Sequence, residues 1–160
     1  MLIRPALPED RTAVWQILAP VIGAGETYAL PRDMSEEAAL AYWIAPQNET
    51  YVALIGDDVV GTYYLRANQQ GGGAHVANCG YVTADGHAGR GIARAMCMHS
   101  LACARERGFQ AMQFNFVVAT NARAIRLWHS LGFNVVGRLP GAFEHPREGL
   151  VDALVMFRTL

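Results

Sequence analysis

Apolar positions in the first part of the chain fall at helical spacing. Val14, Trp15, Ile17, Leu18, Val21 and Ile22 share one face at 3.6 residues per turn. Pro8-Glu9-Asp10 opens this helix, with proline suited to a first turn and the acids to its positive end, and Gly23-Ala24-Gly25 closes it. Leu2 to Arg4 ahead of it alternates and reads as a short strand. A loop, Glu26 to Pro31, leads to a second helix capped by Ser35, which runs to about Ile44 and stops before Pro46. The rhythm then changes. Tyr51–Ile55 and Val59–Leu65 flank Gly56-Asp57-Asp58 as a hairpin, Gln69 to Gly73 is a flexible connection, and His75 to Thr83 is the next strand. Gly91 to Arg107 is a long helix, apolar nearly all round (Ile92, Met96, Met98, Leu101, Cys103), so deep burial is expected, with Gly108 as its cap. Met112 to Val118 is a strand that should carry Phe114 and Phe116 on one face and Asn115 on the other. Asn121 opens a helix ending near Gly132. Val135-Val136 and Leu150–Phe157 are closing strands joined by a loop containing Pro140, Gly141 and Pro146. The order β-α-α-β-β-β-α-β-α-β-β, without repeats or linkers, reads as one mixed α/β domain over residues 1–160.

Composition narrows the class. At 52% hydrophobic and 17% charged, disorder is excluded. No apolar run approaches the ~20 residues of a membrane helix. Met1 to Pro5 lacks a secretion signal, so a cytoplasmic location without a membrane partner is expected. Cys79, Cys97 and Cys103 lack metal-pair spacing and read as reduced core thiols; the five histidines add no ligand pattern, and no metal is expected.

The net charge of −1 hides an asymmetry: residues 1–84 sum to −5, residues 85–138 to +5 and residues 139–160 to −1. A basic middle suits a small polyanion bound in one place. Nucleic acid is disfavoured, because the whole molecule is mildly acidic. There is no lysine, which removes one catalytic amine from consideration.

The basic stretch contains His87-Ala88-Gly89-Arg90-Gly91-Ile92-Ala93-Arg94, a glycine turn that follows a strand and enters a helix. Unpaired N–H groups at a helix start, with the helix dipole behind them, suit a phosphate. Gly89 and Gly91 allow close approach, and Arg90 and Arg94 add charge.

This turn resembles the acyl-CoA loop of the GNAT acyltransferase superfamily, Arg/Gln-x-x-Gly-x-Gly/Ala. Gly91 and Ala93 match, while Ala88 stands where Arg or Gln is usual. A second block, Asn121 to Trp128 followed by Leu131-Gly132-Phe133, resembles the family's Asn-x-x-Ala-x-x-Leu-Tyr…Gly-Phe, with Trp128 in the tyrosine place. Met112 to Val118 is also similar to a run found in one subgroup. The resemblance implies a GNAT fold, a mixed sheet of six to seven strands flanked by about four helices. It implies acetyl-CoA as co-substrate and, by family habit, a homodimer. It implies cofactor contacts from the backbone of Tyr81, Val82 and Thr83, from the turn Ala88, Gly89, Arg90, Gly91, Ile92, Ala93 and Arg94, and from Asn121, Ala124 and Trp128.

The proton steps depart from the family pattern. Many members carry a glutamate base on the strand before the turn, but Asp85 is the only acid between Asp58 and Glu106. Glu26 and Glu144 are the remaining acids near a cleft. Glu26 is the expected amine-binding or basic group, with Asn115 and Asn78 as holders of a relay water. Trp128 cannot protonate a thiolate, so the thiolate leaves unaided or Tyr81 or Tyr28 serves instead. The expected reaction is acetyl transfer to a primary amine of a small molecule. The acidic N-terminal half points to a cationic acceptor. The rivals are acetylation of a protein amine and a non-catalytic acyl-CoA-binding regulatory domain.

Overall fold

The alternating segments become seven strands: β1 (Leu2–Pro5), β2 (Glu49–Ile55), β3 (Asp58–Ala67), β4 (Val76–Thr83), β5 (Ala111–Val118), β6 (Asn134–His145) and β7 (Gly149–Thr159). In the computed structural model, which describes residues 1–160, they form one sheet in the order β1-β2-β3-β4-β5-β7-β6. Only β4 and β5 run parallel. The helix between them, α3 (Ile92–Glu106), supplies the crossover that a parallel pair needs. The others are α1 (Arg11–Ala24), α2 (Glu36–Trp43) and α4 (Ala122–Ser130).

Two-residue alternation divides the core. Tyr51, Ala53, Tyr63, Leu65, Ala77 and Cys79 pack under α3 and α4. Val52, Leu54, Tyr64 and Val82 pack under α1 and α2. Strand β4 contributes to both, so it is the spine that relates one face to the other. Ser35 caps α2, its hydroxyl accepting from the Ala38 N–H at 3.2 Å. No helix is long and apolar enough to cross a membrane.

Three expectations need correction. Pro140 and Gly141 do not form a loop; they lie inside β6, at a register shift between Leu139 and Phe143. Strand β6 is the sheet edge, where a residue without an N–H and a bulge are tolerated. The turn is confined to residues 146–148. Helix α3 is buried on one side only. Met96, Cys97 and Leu101 face the sheet, but Met98 is 57% exposed. Finally, Phe114 and Phe116 do not share a face. A register shift between Phe114 and Val117 gives β5 an extra residue. Phe114 and Val117 therefore enter the same core, and Phe116 turns to Phe143, with ring centroids 6.2 Å apart.

Candidate active site

The parallel pairing of β4 with β5 covers only Val76↔Ala111 and Ala77↔Met112. Beyond those pairs the two strands part, and a cleft opens between them. The other edge of β4 is fully paired with β3 from Ala77 to Thr83. Asn68 N–H donates to Val76 O at 2.8 Å and Ala84 N–H to Val60 O at 2.9 Å, so even-numbered peptide groups of β4 face β3. Alternation then turns the peptide groups of Cys79, Tyr81 and Thr83 towards the cleft. Val82 was expected to offer its backbone as well. Its N–H and C=O face β3, and only its side chain reaches the cleft wall.

A cavity of about 650 Å³ follows this cleft to the turn before α3. Backbone bonding explains what that turn offers. His87 N–H is bonded to Ala84 O and Ala95 N–H to Gly91 O, but no N–H from Ala88 to Arg94 has a partner within the protein. Gly91 caps α3 at φ 78°, a left-handed conformation that costs a side-chain-bearing residue strain. The result is a nest of amides at a helix start. The charges around it differ from expectation. Arg90 does not line the cavity. Arg94 lines it, but its guanidinium donates to Ser130 Oγ at 2.7 Å. Arg123, on α4, reaches across instead: its Nη2 lies 3.6 Å from where a Cβ on Gly89 would stand.

Helix α4 closes the far side. Asn121 Oδ1 accepts from Ala124 N–H at 3.3 Å and so caps the helix. Its amide nitrogen has no partner in the protein and remains a donor at the cavity wall, beside Ala124 and Trp128. The Trp128 ring packs against Tyr81 at 5.2 Å and Phe114 at 5.0 Å, so it is both core and wall.

On the opposite face of β4 lies a second arm of the cavity, lined by Tyr28, Leu30, Tyr42, Tyr64 and Arg66. Tyr28 donates to Tyr81 O at 3.0 Å. Burial raises the Tyr28 hydroxyl above its ordinary range, so it stays a donor. The Tyr81 carbonyl is thereby occupied, and its N–H is left facing the cleft. Gly80 makes room for this arm, since a Cβ there would lie 2.7 Å from Tyr64 Cε1.

No carboxylate lines the cavity. Glu26, the expected base, is not part of the wall. It pairs with Arg147 in the β6–β7 turn, Oε1 to Nη1 at 2.5 Å. Glu144 is absent from the wall too. The Tyr81 hydroxyl, a second expected catalytic group, is turned under α3 to Ser100 Oγ at 2.7 Å. Burial pushes it well above the usual tyrosine range, so only the Tyr81 backbone serves the cleft. Asn115 lines the cavity, but both ends of its amide are engaged, donating to Asn68 Oδ1 at 2.6 Å and accepting from Gln113 at 2.9 Å. Asn78 donates to Gln113 O at 2.9 Å. Burial pushes the Cys79 thiol far up, so it offers no thiolate at neutral pH. The acids of the N-terminal half sit outside: Asp10 pairs with Arg4, Glu26 with Arg147, Glu49 with Arg107, and the rest are exposed. The charge of that half of the chain is not the charge of the cleft.

Sequence reasoning missed Arg66, Arg123, Tyr42 and Tyr64. The period-two pattern that places Tyr64 and Arg66 on one strand face was a usable signal. Arg123, two residues after Asn121 in the second block, was another.

The chain matches the acetyltransferase (GNAT) family over residues 13–133. It is 40% identical to a GCN5-related N-acetyltransferase from Kribbella flavida, covering 99% of this chain and 97% of that one, with a TM-score of 0.95. It is 35% identical over 98 residues to N-acetyltransferase aca1 of Schizosaccharomyces pombe, covering 61% of this chain; the match spans 47% of that curated relative, about half its length. It shares its fold with yncA of Salmonella typhimurium, solved with its cofactor acetyl-CoA, at 24% identity and a TM-score of 0.87 over 100% and 94% of the two chains. The chain belongs to the GNAT acetyltransferase family, and its seven-stranded mixed sheet with four helices is the α/β GNAT fold.

Proposed function

We propose that this protein moves an acetyl group from acetyl-CoA directly to a primary amine of a small molecule. The free amides from Ala88 to Arg94 and the Arg123 guanidinium fit a diphosphate. The cleft-facing peptide group of Thr83 fits an extended amide-bearing arm laid along β4 like an added strand. Asn121 would donate its amide nitrogen to that arm, and Ala124 and Trp128 would pack against it. Acetyl-CoA supplies an activated acyl carbon when bound. The Tyr81 N–H would donate to the acyl oxygen as charge develops there. Such a donor is worth roughly 3–4 kcal/mol of barrier.

The amine nitrogen attacks the thioester carbon, the carbon–sulfur bond breaks, and the thiolate leaves. Without a carboxylate in the wall, the amine proton passes to water. The thiolate is a tolerable leaving group, since a thiol titrates near about 8.5. The rate should therefore climb with pH through the pKa of the acceptor amine.

One observation carries the choice of a small acceptor. The Glu26–Arg147 pair ties the loop after α1, whose Thr27 and Tyr28 line the cavity, to the β6–β7 turn, the two segments between which a polypeptide acceptor would need an open groove. The test is free-thiol release from acetyl-CoA across small amines and amine-ended peptides. Turnover of small amines supports the reading. Turnover of peptides alone would replace it with protein acetylation. Tight acetyl-CoA binding with no release from any amine would replace it with acyl-CoA sensing.

A further inference from the structure

Building on that acetyl-transfer reading, we infer that Arg66 makes the acceptor arm an anion-selecting pocket, so that the preferred acceptor is a short amine carrying a carboxylate or similar small anion a few bonds from its nitrogen. Arg66 is half-buried in the cavity wall and takes part in no salt bridge. Its guanidinium carbon lies over the Tyr64 ring, 5.1 Å from the centroid, and Nε makes one long bond of 3.4 Å to Asn78 Oδ1. The terminal nitrogens have no partner in the protein. The ring holds the guanidinium in one orientation, which lowers the entropy cost of binding an anion in the fork geometry arginine favours. A cationic amine acceptor would meet this charge with no carboxylate in the wall to balance it.

Position sets the size of the acceptor. Tyr64 is opposite Gly80 in the β3–β4 register and its ring lies directly against Gly80. The next residue is Tyr81, whose N–H marks the acyl oxygen in the proposed reaction. On that reading the Tyr64 ring lies between the guanidinium and the strand that would hold the reacting carbon, an arrangement that suits a short, amino-acid-like molecule.

The test compares four amines of similar length: a carboxylate, a phosphonate, a neutral amide and a diamine cation. Two readouts are taken, thiol release and equilibrium binding in the presence of coenzyme A. The carboxylate or the phosphonate should bind on the order of 10–100-fold more tightly than the amide, and the cation most weakly. Arg66→Gln should erase that preference through KM, with the affinity for acetyl-CoA unchanged. The relative rank of carboxylate and phosphonate identifies the anion. Equal binding of anion and amide, or an unchanged preference in R66Q, would overturn the inference. Anion binding that depends on Arg66 without any thiol release would support it while sinking the acetyl-transfer reading.

Discussion

On the side of the split between β4 and β5 proposed to hold the donor, the groups offered to a ligand are main-chain N–H groups, at Ala88 to Arg94, Tyr81 and Thr83. On the side proposed for the acceptor they are the hydroxyls, rings and guanidinium of Tyr28, Tyr42, Tyr64 and Arg66. Main chain is common to every residue, so the donor half depends on backbone conformation and little on side-chain identity. The acceptor half depends on which side chains stand at a few positions. A family can thus keep one donor site and change acceptors by replacing a handful of residues.

The contrast is testable from the strongest effect down. Gly91→Val forces a β-branched residue to φ 78° and crowds the amide nest. No protein atom lies within 4 Å of the added Cβ, so the fold should survive. Acetyl-CoA affinity measured by calorimetry should fall by at least ~100-fold, in line with a few kcal/mol of strain and lost hydrogen bonds. Retained affinity would mean the donor half is not made of these amides. Next, Tyr28→Phe removes the bond to Tyr81 O. A loss of about 1 kcal/mol of stability is expected from urea melts, together with a several-fold fall in kcat/KM for the acceptor. Glu26→Gln should do less. The Glu26–Arg147 pair is partly exposed and worth at most ~1 kcal/mol. Its kcat should stay within about threefold, whereas a loss of 10²–10⁴-fold would return Glu26 to the role of base.

The smallest effect lies beneath the donor half. His99 on α3 meets the Tyr63 hydroxyl at 2.6 Å. Burial holds its pKa below the ordinary value. The unfolded chain therefore takes up this proton first as pH falls. Stability should be unaffected above about 6.5 and should decline below it, towards the lower folded value. Urea midpoints at pH 7.5 and 5.5 should converge in His99→Gln relative to the parent protein.

The donor half was largely legible in the sequence. A strand, two glycines and a helix start fix an amide nest whatever the neighbouring side chains do, and the Asn121 cap follows from residue type. What misled was charge. Arg90 is near the nest in sequence but does not line the cavity, Arg94 lines it with its guanidinium bonded to Ser130, and Arg123 arrives from another helix. The acceptor half was poorly legible because it joins β3, β4 and the loop after α1 in space. Glu26 looked catalytic because it was the acid in the right loop. Its partner, Arg147, lies 121 positions on in the numbering and no local pattern pairs them. The bulge in β5 was invisible for the same reason, since a register shift depends on the partner strand.

The short contact between β4 and β5 has a kinetic consequence. Two register pairs join one leaf of the sheet, β1 to β4, to the other, β5 to β7, and the rest of that seam is open. A pantetheine arm lying in the seam would act as a strut and fix the distance between the leaves. Tyr81, whose carbonyl anchors Tyr28, sits on that seam, so loading the donor would also set the shape of the acceptor pocket. The expected behaviour is an ordered mechanism, with the nucleotide thioester entering first and the free nucleotide thiol leaving last.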